Sequence, residues 1–375
     1  MSHVVVYSAM QPCSHWAHDI NTIKMADGFA KHGCRVTLVT REGIDGCRGW
    51  EGVRDSYGLE PSIEWVTVPY RTFGLNFDRY LHHRYSRHAS KTIVKLKPDL
   101  LYARDNFAPV YCAAKGVASV VESHASVGTD GKPFRFVVEG SRQASFRAWV
   151  TISQHLADYY HQQGTPREKL LVLPDSVDLK LFSPPGNDSS HNPFPSSARK
   201  NILYAGHLYD YKGIPTVLEA AATLPQFDFH FIGGWPEDVS RHRASAAQAG
   251  LANVHFYGLK PFAEVPAYLW HADVLLLPPS QHHPSAKWTS PVKLGEYMAS
   301  GTPVVASDIP ALKDWVSDKE VWFFKADDAA DMAQKISAAT EHNDAVHQRV
   351  QAAKDYATTL SYERRAGSIL DFALA

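Results

Sequence analysis

Residues 289–307 read TSPVKLGEYMASGTPVVAS, and this stretch decides the predicted fold. Ser290 is a favourable N-cap, and Pro291 suits the first position of a helix. The predicted helix ends in a turn at Gly301, and the apolar residues 304–307 after it predict a buried strand. A helix that leads directly into a buried strand is typical of an α/β domain built on a parallel sheet.

The start of this helix also carries the residues of a candidate phosphate site. Lys293 lies in the first turn, where the helix dipole disfavours a cation unless an anion binds at the helix tip. Glu296 lies about one turn further along, on a neighbouring face. Backbone N–H groups for phosphate, beside a carboxylate for ribose hydroxyls, would suit a nucleoside diphosphate. An ordinary helix packed on a sheet fits the same residues, so the sequence leaves both interpretations open.

The alternation of apolar strands and helical segments runs through the whole chain. It predicts an α/β protein of two doubly wound, Rossmann-like domains that face each other across a cleft. Ligands bind at the carboxyl ends of the strands in such domains. The predicted strands are residues 4–8, 35–40, 63–69, 100–103, 119–122, 149–152, 170–173, 201–205, 228–232, 254–256, 274–277, 304–307 and 321–324.

A segment of turn-forming residues separates the two predicted sheets. Residues 184–198 are rich in proline, serine and asparagine, which is typical of a linker. We therefore predict an N-terminal domain over residues 1–183 and a C-terminal domain over residues 199–361. A surface insertion is the alternative, but the sheet pattern starts again after the segment and favours a domain boundary.

Composition narrows the class of protein. The chain has 375 residues, 45% hydrophobic and 21% charged, which is ordinary for a soluble protein with two cores. A formal net charge of -1 argues against wholesale nucleic-acid binding. No apolar run approaches the roughly 20 residues of a membrane span, and no signal peptide precedes the first strand. Cys13, Cys34, Cys47 and Cys112 lack the spacing of a zinc site or a disulfide framework, so we expect a reducing cytosol.

Two strand–helix loops bear on the kind of ligand. Residues 8–15 read SAMQPCSH without the Gly-x-Gly-x-x-Gly pattern, which argues against a nicotinamide or flavin dehydrogenase. Residues 204–213 read YAGHLYDYKG and open the second domain. Gly206 there permits close approach of a ligand, and Lys212 precedes a helix start, as in a phosphate clamp. A solvated lysine is the alternative for Lys212 alone.

Three histidine-containing or basic features remain. His124 ends a predicted strand, where it could hold a sugar or phosphate, although a lone histidine is usually structural. His282 and His283 have no third ligand at metal spacing, so no metal site is expected. Residues 77–96 predict a helix with a basic face and with a core stripe of Phe77, Leu81, Tyr85, Ala89, Ile93 and Leu96. The basic face suits a solvated surface, an acidic acceptor or an anionic membrane. This face consists of Arg79, His83, Arg87, Lys91 and Lys95.

The ordered set of segments resembles the GT-B glycosyltransferases of family 4, the large retaining group that uses nucleotide-sugar donors. The resemblance covers most of the chain. It is carried by residues 122–124 (ESH), 152–153 (IS), 173–178 (LPDSVD) with Phe182, 206–213, 290–307 and the tail 362–366 (YERRA), which resembles a final helix, 362–375, that crosses back onto the first domain.

The resemblance implies a role for each matching residue. Lys212 contacts the donor diphosphate and stabilises the leaving group, and His124 lies near the donor sugar; both are implied to be catalytic. Glu296 binds the ribose hydroxyls, and the base lies near Leu259 and Lys260. The remaining implied contacts to the diphosphate and sugar are Gly206, His207, Ser290, Pro291, Lys293 and Leu294.

Two positions depart from the family pattern. Trp288 stands where the family often has a glutamate that contacts the donor sugar, and His207 stands where an arginine is usual. Lys293 supplies a cation in place of that arginine, and a Ser-Pro-x-Lys helix start occurs within the family. A catalytically silent nucleotide-sugar binder is the alternative that these departures suggest.

The implied function is transfer of a sugar, with retention, from a nucleoside-diphosphate sugar to a saccharide, glycolipid or other hydroxyl acceptor. No essential metal, other cofactor or nucleic-acid partner is expected. Polysaccharide or glycoconjugate assembly in the cytoplasm, with peripheral contact to an anionic membrane, is the expected setting. A nucleotide-sugar epimerase on the same architecture is a further alternative. The sequence carries no signal for a particular oligomeric state.

Overall fold

The computed structural model describes residues 1–375 apart from 14–16, 43–46, 48, 70–77, 125–131, 187–190 and 289–291, and apart from the side chains of 17, 78–82, 132 and 133. The described residues form two compact units. The first comprises Met1–Ser176 and Ser361–Ala375, and the second comprises Val177–Leu360. Each unit is a parallel sheet flanked by helices, which confirms the predicted doubly wound α/β class of each.

The first unit contains a seven-stranded sheet in the order β3-β2-β1-β4-β5-β6-β7. Its strands are β1 His3–Tyr7, β2 Arg35–Arg41, β3 Glu64–Val68, β4 Leu100–Ala103, β5 Ser119–Ser123, β6 Phe146–Thr151 and β7 Leu170–Val172. Its helices are α1 Ala17–Lys31, α2 Gly49–Tyr57, α3 Asp78–Lys95, α4 Ala108–Ala113, α5 Lys132–Gly140 and α6 Gln154–Gln162, together with the C-terminal helix Tyr362–Leu374.

The second unit contains a six-stranded sheet in the order β10-β9-β8-β11-β12-β13. Its strands are β8 Lys200–Ala205, β9 Phe227–Ile232, β10 Val254–Gly258, β11 Val274–Leu277, β12 Val304–Ser307 and β13 Trp322–Phe324. Its helices are α7 Leu179–Phe182, α8 Ile214–Thr223, α9 Pro236–Gln248, α10 Val265–His271, α11 Val292–Ser300, α12 Pro310–Lys313, α13 Ala329–Ala339 and α14 Asp344–Thr359.

The strand order of each sheet reverses at one point, and this reversal determines where a ligand site can form. Strand order runs outward from β1 and then restarts at β4, and likewise runs outward from β8 and restarts at β11. The loops that follow these central strands therefore diverge and leave a crevice at the carboxyl edge of each sheet. The central strands β1, β4, β8, β11 and β12 are mostly apolar and buried, as parallel strands between helix layers must be.

The predicted linker does not coincide with the division between the units. The backbone N–H of Val177 donates to the carbonyl of Leu360 at 2.9 Å, which joins the start and end of the second unit. Phe182 and Phe194 are both buried in the core of that unit. Because these apolar side chains are packed there, the chain enters the second unit before residue 183, and residues 184–198 belong to it where they are described.

The prediction that the cysteines form no disulfide is wrong, because the structure joins Cys13 to Cys47. Cys13 follows β1 and Cys47 follows β2. These neighbouring parallel strands end at the same sheet edge, so their loops meet although 34 residues separate the two cysteines. Cys34 and Cys112 are buried free thiols.

Membrane-spanning helices are absent from the described residues, since none of the helices there combines sufficient length with sufficient apolar character. The long helix α3 instead buries Tyr85, Ala89 and Ile93 along one stripe, as its periodicity predicted. Phe77 and the side chain of Leu81, predicted for the same stripe, lie outside the described residues.

Candidate active site

The central feature of the second unit is the placement of Lys293 over Gly206. Tyr297 on α11 is hydrogen-bonded through its hydroxyl to both the N–H (3.0 Å) and the carbonyl (3.2 Å) of Ala205, the last residue of β8. This fixes the start of α11 beside the loop after β8. Gly206 has φ 155°, and a Cβ built there would lie 2.7 Å from Cε and 3.3 Å from Nζ of Lys293. A side chain at position 206 would therefore displace the lysine.

Lys212 lies close enough to Lys293 for the two charges to interact. It ends the short 3₁₀ turn Asp210–Lys212, after which Gly213 adopts φ 82° at the start of α8. A Cβ at Gly213 would lie 1.8 Å from the carbonyl oxygen of Pro278, which follows β11. This close approach brings Lys212 into the crevice between β8 and β11. Partial burial, and secondarily the charge of Lys293, lower the pKa of Lys212 to about 8.

His207 completes this group of polar residues. Burial is the main cause that lowers its pKa, followed by the charges of Lys293 and Lys212. A neutral imidazole is therefore favoured at this position. Its Nδ1 atom is buried and has no hydrogen-bond partner among the described residues. An unpartnered ring nitrogen beside two ammonium groups is suited to a phosphate oxygen, either directly or through water.

A row of stacked rings, here called the aromatic row, runs alongside these residues. Neighbouring ring centroids lie 4.0 to 5.8 Å apart, and Nζ of Lys212 lies 5.1 Å from the Tyr211 ring. One end of the row, Trp235, is 41% exposed. The row consists, in order, of Trp235, His207, Tyr209, Tyr211 and His283.

Glu296 lies one turn beyond Lys293 on α11. Burial raises the pKa of its carboxyl to about 7, and the positive charge of Lys293 acts in the opposite direction. A carboxyl with this pKa accepts hydrogen bonds from ribose hydroxyls when ionised. Partial neutralisation near pH 7 also limits the cost of keeping it partly buried.

Three other residues predicted for the donor site are described by the structure. Leu294 is buried in the core of the second unit, so only its backbone is available to a ligand. Leu259 is 57% exposed after β10, and Nζ of Lys260 lies about 6 Å from the rings of Tyr257 and Tyr268. Ser290 and Pro291 lie outside the described residues.

His124, the residue predicted from the first unit, lies in a buried polar cluster. Its Nε2 is 2.6 Å from Oε1 of Glu122, and its Nδ1 is 3.4 Å from Oδ1 of Asp175. The second oxygen of Glu122 accepts from the Tyr102 hydroxyl at 2.5 Å and from the Arg365 guanidinium at 2.8 Å. Despite its burial, Glu122 has a pKa well below the usual range, chiefly because of Arg365.

Glu122, His124 and Asp175 are also the group of described residues whose donor atoms are close enough to hold a metal ion, all within 4.8 Å of one another. An ion there would have to replace the direct His124–Glu122 hydrogen bond and compete with Arg365 for Glu122. The arrangement is already neutralised by protein groups, and the expectation of metal-free catalysis stays a prediction.

Sequence reasoning missed several members of this site. Arg365 comes from the C-terminal helix, 243 residues from Glu122, and no local pattern links them. His18 on α1 is hydrogen-bonded to Ser8 at 2.9 Å. Burial, then the charges of Arg104 and His124, lower the pKa of His18 to about 3. Position at a sheet's carboxyl edge was the available signal for His18. The tail 362–366 was recognised as part of the family resemblance, but no local pattern assigned Arg365 to Glu122.

The comparisons with known proteins decide the family. The family model described as Glycosyltransferase Family 4 matches residues 22–181, and the model described as Glycosyl transferases group 1 matches residues 199–342. The chain belongs to these glycosyltransferases. The resemblance inferred from the sequence is confirmed, as is the assignment of the protein as a transferase.

Two relatives that are named as glycosyltransferases support this family assignment. The glycosyltransferase is 33% identical over 197 residues to the putative colanic acid biosynthesis glycosyltransferase WcaL of Escherichia coli, a match that covers 50% of this chain and 46% of that protein. It is 31% identical over 150 residues to the amylovoran biosynthesis glycosyltransferase AmsK of Erwinia amylovora, covering 39% and 35%. The matches thus span less than half of the length of each relative.

A solved structure shares the fold. HepE of Anabaena, crystallised with UDP and glucose, superposes on the glycosyltransferase with a TM-score of 0.68 at 15% identity, covering 99% of both chains. At this identity the likeness shows the fold alone. The predicted GT-B class is confirmed by such neighbours and by the two parallel sheets.

Proposed function

We propose that this glycosyltransferase moves a sugar, with retention of configuration, from a nucleoside-diphosphate sugar to a saccharide or glycolipid hydroxyl. The observation that carries the proposal is the pair of cations in the second unit, because Lys293 lies over Gly206 and its charge acts on Lys212. Burial, and secondarily repulsion from the charge of Lys293, lower the pKa of Lys212. An anion bound between them relieves that repulsion, and the crevice at β8 and β11 is where such sheets bind ligands.

The chemistry follows from where charge develops. Glycosyl transfer passes through an oxocarbenium-like state while negative charge grows on the departing diphosphate. Lys212 and Lys293 interact more strongly with that growing charge than with the ground state, which is the condition for catalysis. We propose attack and departure on one face of the sugar, without a metal or other cofactor.

The names of the relatives support a role in polysaccharide assembly. WcaL and AmsK are named for colanic acid and amylovoran biosynthesis, and HepE was crystallised with UDP and glucose. By analogy, we propose that this chain acts in assembly of a bacterial-type polysaccharide in the cytoplasm. A UDP-sugar is the first donor to test.

A donor panel tests the reaction class. UDP-, GDP- and ADP-sugars are each incubated with the protein, with and without oligosaccharide or lipid-linked acceptors, and nucleotide release is measured. Acceptor-dependent release supports transfer. Isomerisation of the donor without an acceptor would replace the proposal with an epimerase, and binding without turnover would replace it with a silent binder.

A substitution tests the lysine pair. Lys212→Ala is expected to lower kcat by about 10²-fold or more while the melting temperature stays near that of the wild type. Lys335→Ala is the matched control, since this lysine pairs with Asp331 on the surface helix α13. Near-normal turnover of the Lys212 variant would refute the assignment.

We also propose that the first unit contacts anionic membranes through α3. His83 is not part of the free basic face, because its ring packs against Phe107 and Tyr111. The side chain of Arg79 lies outside the described residues, and the exposed cations of the predicted face are Arg87, Lys91 and Lys95. Sedimentation with vesicles should require anionic lipid and should weaken in Lys91→Glu. Equal binding to neutral vesicles would contradict this proposal.

A further inference from the structure

The ammonium group of Lys212 lies over an aromatic ring. Its Nζ is 5.1 Å from the ring centroid of Tyr211, the preceding residue. In the part of the chain that the structure describes, the Lys212 side chain has no hydrogen bond or ion pair. A cation over a ring face is attracted by the ring quadrupole, and more strongly where water is partly excluded. The Tyr211 ring is therefore the group that holds this charge.

Tyr211 is itself fixed by the loop that follows β11. The backbone N–H of Ser280 donates to the carbonyl of Tyr211 at 2.9 Å. The ring of His283, further along this loop, stacks on the Tyr211 ring with centroids 4.0 Å apart and an interplanar angle of 15°. This is the shortest centroid distance in the aromatic row, so His283 constrains the Tyr211 ring more than its other neighbour there does.

His283 is held in one orientation because it also caps the short 3₁₀ helix Pro284–Lys287. The backbone N–H of Ser285 donates to Nδ1 of His283 at 3.2 Å, and the Ser285 hydroxyl lies 2.7 Å from the same nitrogen. A ring nitrogen that accepts such bonds belongs to a neutral imidazole with its hydrogen on Nε2. The cap thus fixes the ring that stacks on Tyr211.

The loop that carries His283 is also anchored beyond the end of β13. The backbone N–H of Gln281 donates to Oδ2 of Asp327 at 3.1 Å, and its side-chain amide donates to the carbonyl of Ala326 at 3.1 Å. The side chain of His282 is 81% exposed and faces the same Asp327. The two adjacent histidines therefore differ in position, since His282 lies at the surface and His283 lies on Tyr211.

We propose that Tyr211 and His283 are positioning residues for Lys212: His283 holds the Tyr211 ring, and the ring face holds the ammonium group in the crevice between β8 and β11. This inference rests on the proposed function, because it assumes that Lys212 binds the donor diphosphate. An ammonium group held by a ring keeps all three N–H donors for phosphate oxygens, whereas a carboxylate partner would have to be displaced.

The first experiment removes the ring and then restores it. In Tyr211→Leu we expect kcat to fall by about 10- to 100-fold, the cost of misplacing a reacting group by about 1 Å. The KM for the donor should change less than kcat, because Lys212 acts most strongly on charge that develops during transfer. Tyr211→Phe should recover most of the rate. An unchanged kcat in folded Tyr211→Leu, or equal losses in both variants, would overturn the inference.

Two substitutions at His283 separate stacking from capping. His283→Phe keeps a ring against Tyr211 but removes the cap, whereas His283→Asn keeps a capping side chain and removes the ring. We expect kcat to fall by about three- to tenfold in the Asn variant, the effect of a loosened cation–ring contact, and to fall less in the Phe variant. The matched control is His282→Asn. A larger loss in the Phe variant would show a purely structural role and overturn the inference.

A spectroscopic measurement tests the contact without turnover. Reductive methylation with isotope-labelled formaldehyde gives each lysine an NMR signal, and the signal that is missing in Lys212→Arg belongs to Lys212. The ring current of Tyr211 should displace this signal upfield, and the displacement should shrink in Tyr211→Leu but persist in Tyr211→Phe. The same signal position in Tyr211→Leu and the wild type would overturn the inference.

These outcomes distinguish the inference from the proposed function. If Lys212→Ala abolishes transfer while Tyr211→Leu and His283→Asn turn over at the wild-type rate, the inference fails and the proposed function stands. If the wild type turns over no donor, the proposed function has failed, and the NMR signal still decides whether Tyr211 holds Lys212.

Discussion

The pH dependence of donor use tests the lysine pair most sharply. Burial and the charge of Lys293 lower the pKa of Lys212 from 10.5 to about 8. Only the ammonium form attracts a diphosphate. We therefore expect kcat/KM for the donor, which reports the free enzyme, to fall as the pH rises through about 8, by about tenfold per pH unit beyond it.

The size of the effect follows from that pKa. Lys212 is about nine-tenths charged at pH 7, half charged at pH 8 and about one-tenth charged at pH 9. A lysine with an ordinary pKa would stay charged through this range. The fall in kcat at saturating donor should appear at higher pH, because the bound diphosphate stabilises the ammonium form.

Removing the charge of Lys293 should shift the pH at which kcat/KM for the donor falls. In Lys293→Gln the repulsion is gone but burial remains, so the pKa of Lys212 should rise and still lie below 10.5. Initial rates of nucleotide release from pH 7 to 10, at constant ionic strength, measure the shift, with Lys335→Gln as the control. A fall near pH 10 in the wild type, or an unmoved fall in Lys293→Gln, would refute the reasoning.

The same pKa predicts how stability varies with pH. Between about pH 8 and 10.5 the unfolded chain holds a proton on Lys212 that the folded chain has released. The unfolded state therefore binds more protons in this window, and this residue's contribution to the free energy of unfolding rises with pH. A saturating nucleoside diphosphate should reduce that rise in a thermal-shift series, because it keeps Lys212 protonated in the fold. An equal rise with and without ligand would contradict the assignment.

Three further predictions concern packing and covalent structure. Gly28→Ala forces a Cβ against the C-terminal helix and should cost about 1–3 kcal/mol in chemical denaturation, whereas Gly186→Ala, with open space around it, should cost far less. Thiol titration of the denatured, unreduced protein should find two reactive thiols rather than four, since Cys13 and Cys47 are joined; four would contradict the disulfide. Trp235→Ala removes one end of the aromatic row and should weaken UDP binding about two- to tenfold by calorimetry, and unchanged affinity would show that the ring does not support the site.

The strands and some of the helices, α3 among them, could be predicted from local pattern. Strands β4, β11 and β12 have the predicted bounds, and α3 differs by one residue at each end from the predicted 77–96. Apolar runs and periodic stripes encode these elements within a few neighbouring residues. The helices α2, α4, α5 and α14 were not predicted, since their patterns are short or mostly polar and they depend on packing.

The residues of the candidate site could also be predicted only where a local pattern marks them. Lys212 and Lys293 were recognisable because each stands at a helix start, which is a local feature. Their mutual approach was not, because it depends on Tyr297 fixing α11 to the end of β8. The domain boundary and the disulfide were misjudged for a similar reason: turn composition and cysteine spacing do not report which core a side chain enters or which loops meet.

The amino-acid sequence by itself determined that this protein is a pair of parallel α/β sheets with cation-bearing helix starts, since hydrophobic period and helix capping act over a few residues. Only the tertiary structure decided that Arg365 reaches Glu122, that Cys13 meets Cys47, and that Lys293 lies over Gly206. These pairings depend on strand order and close packing, which join residues far apart in the chain.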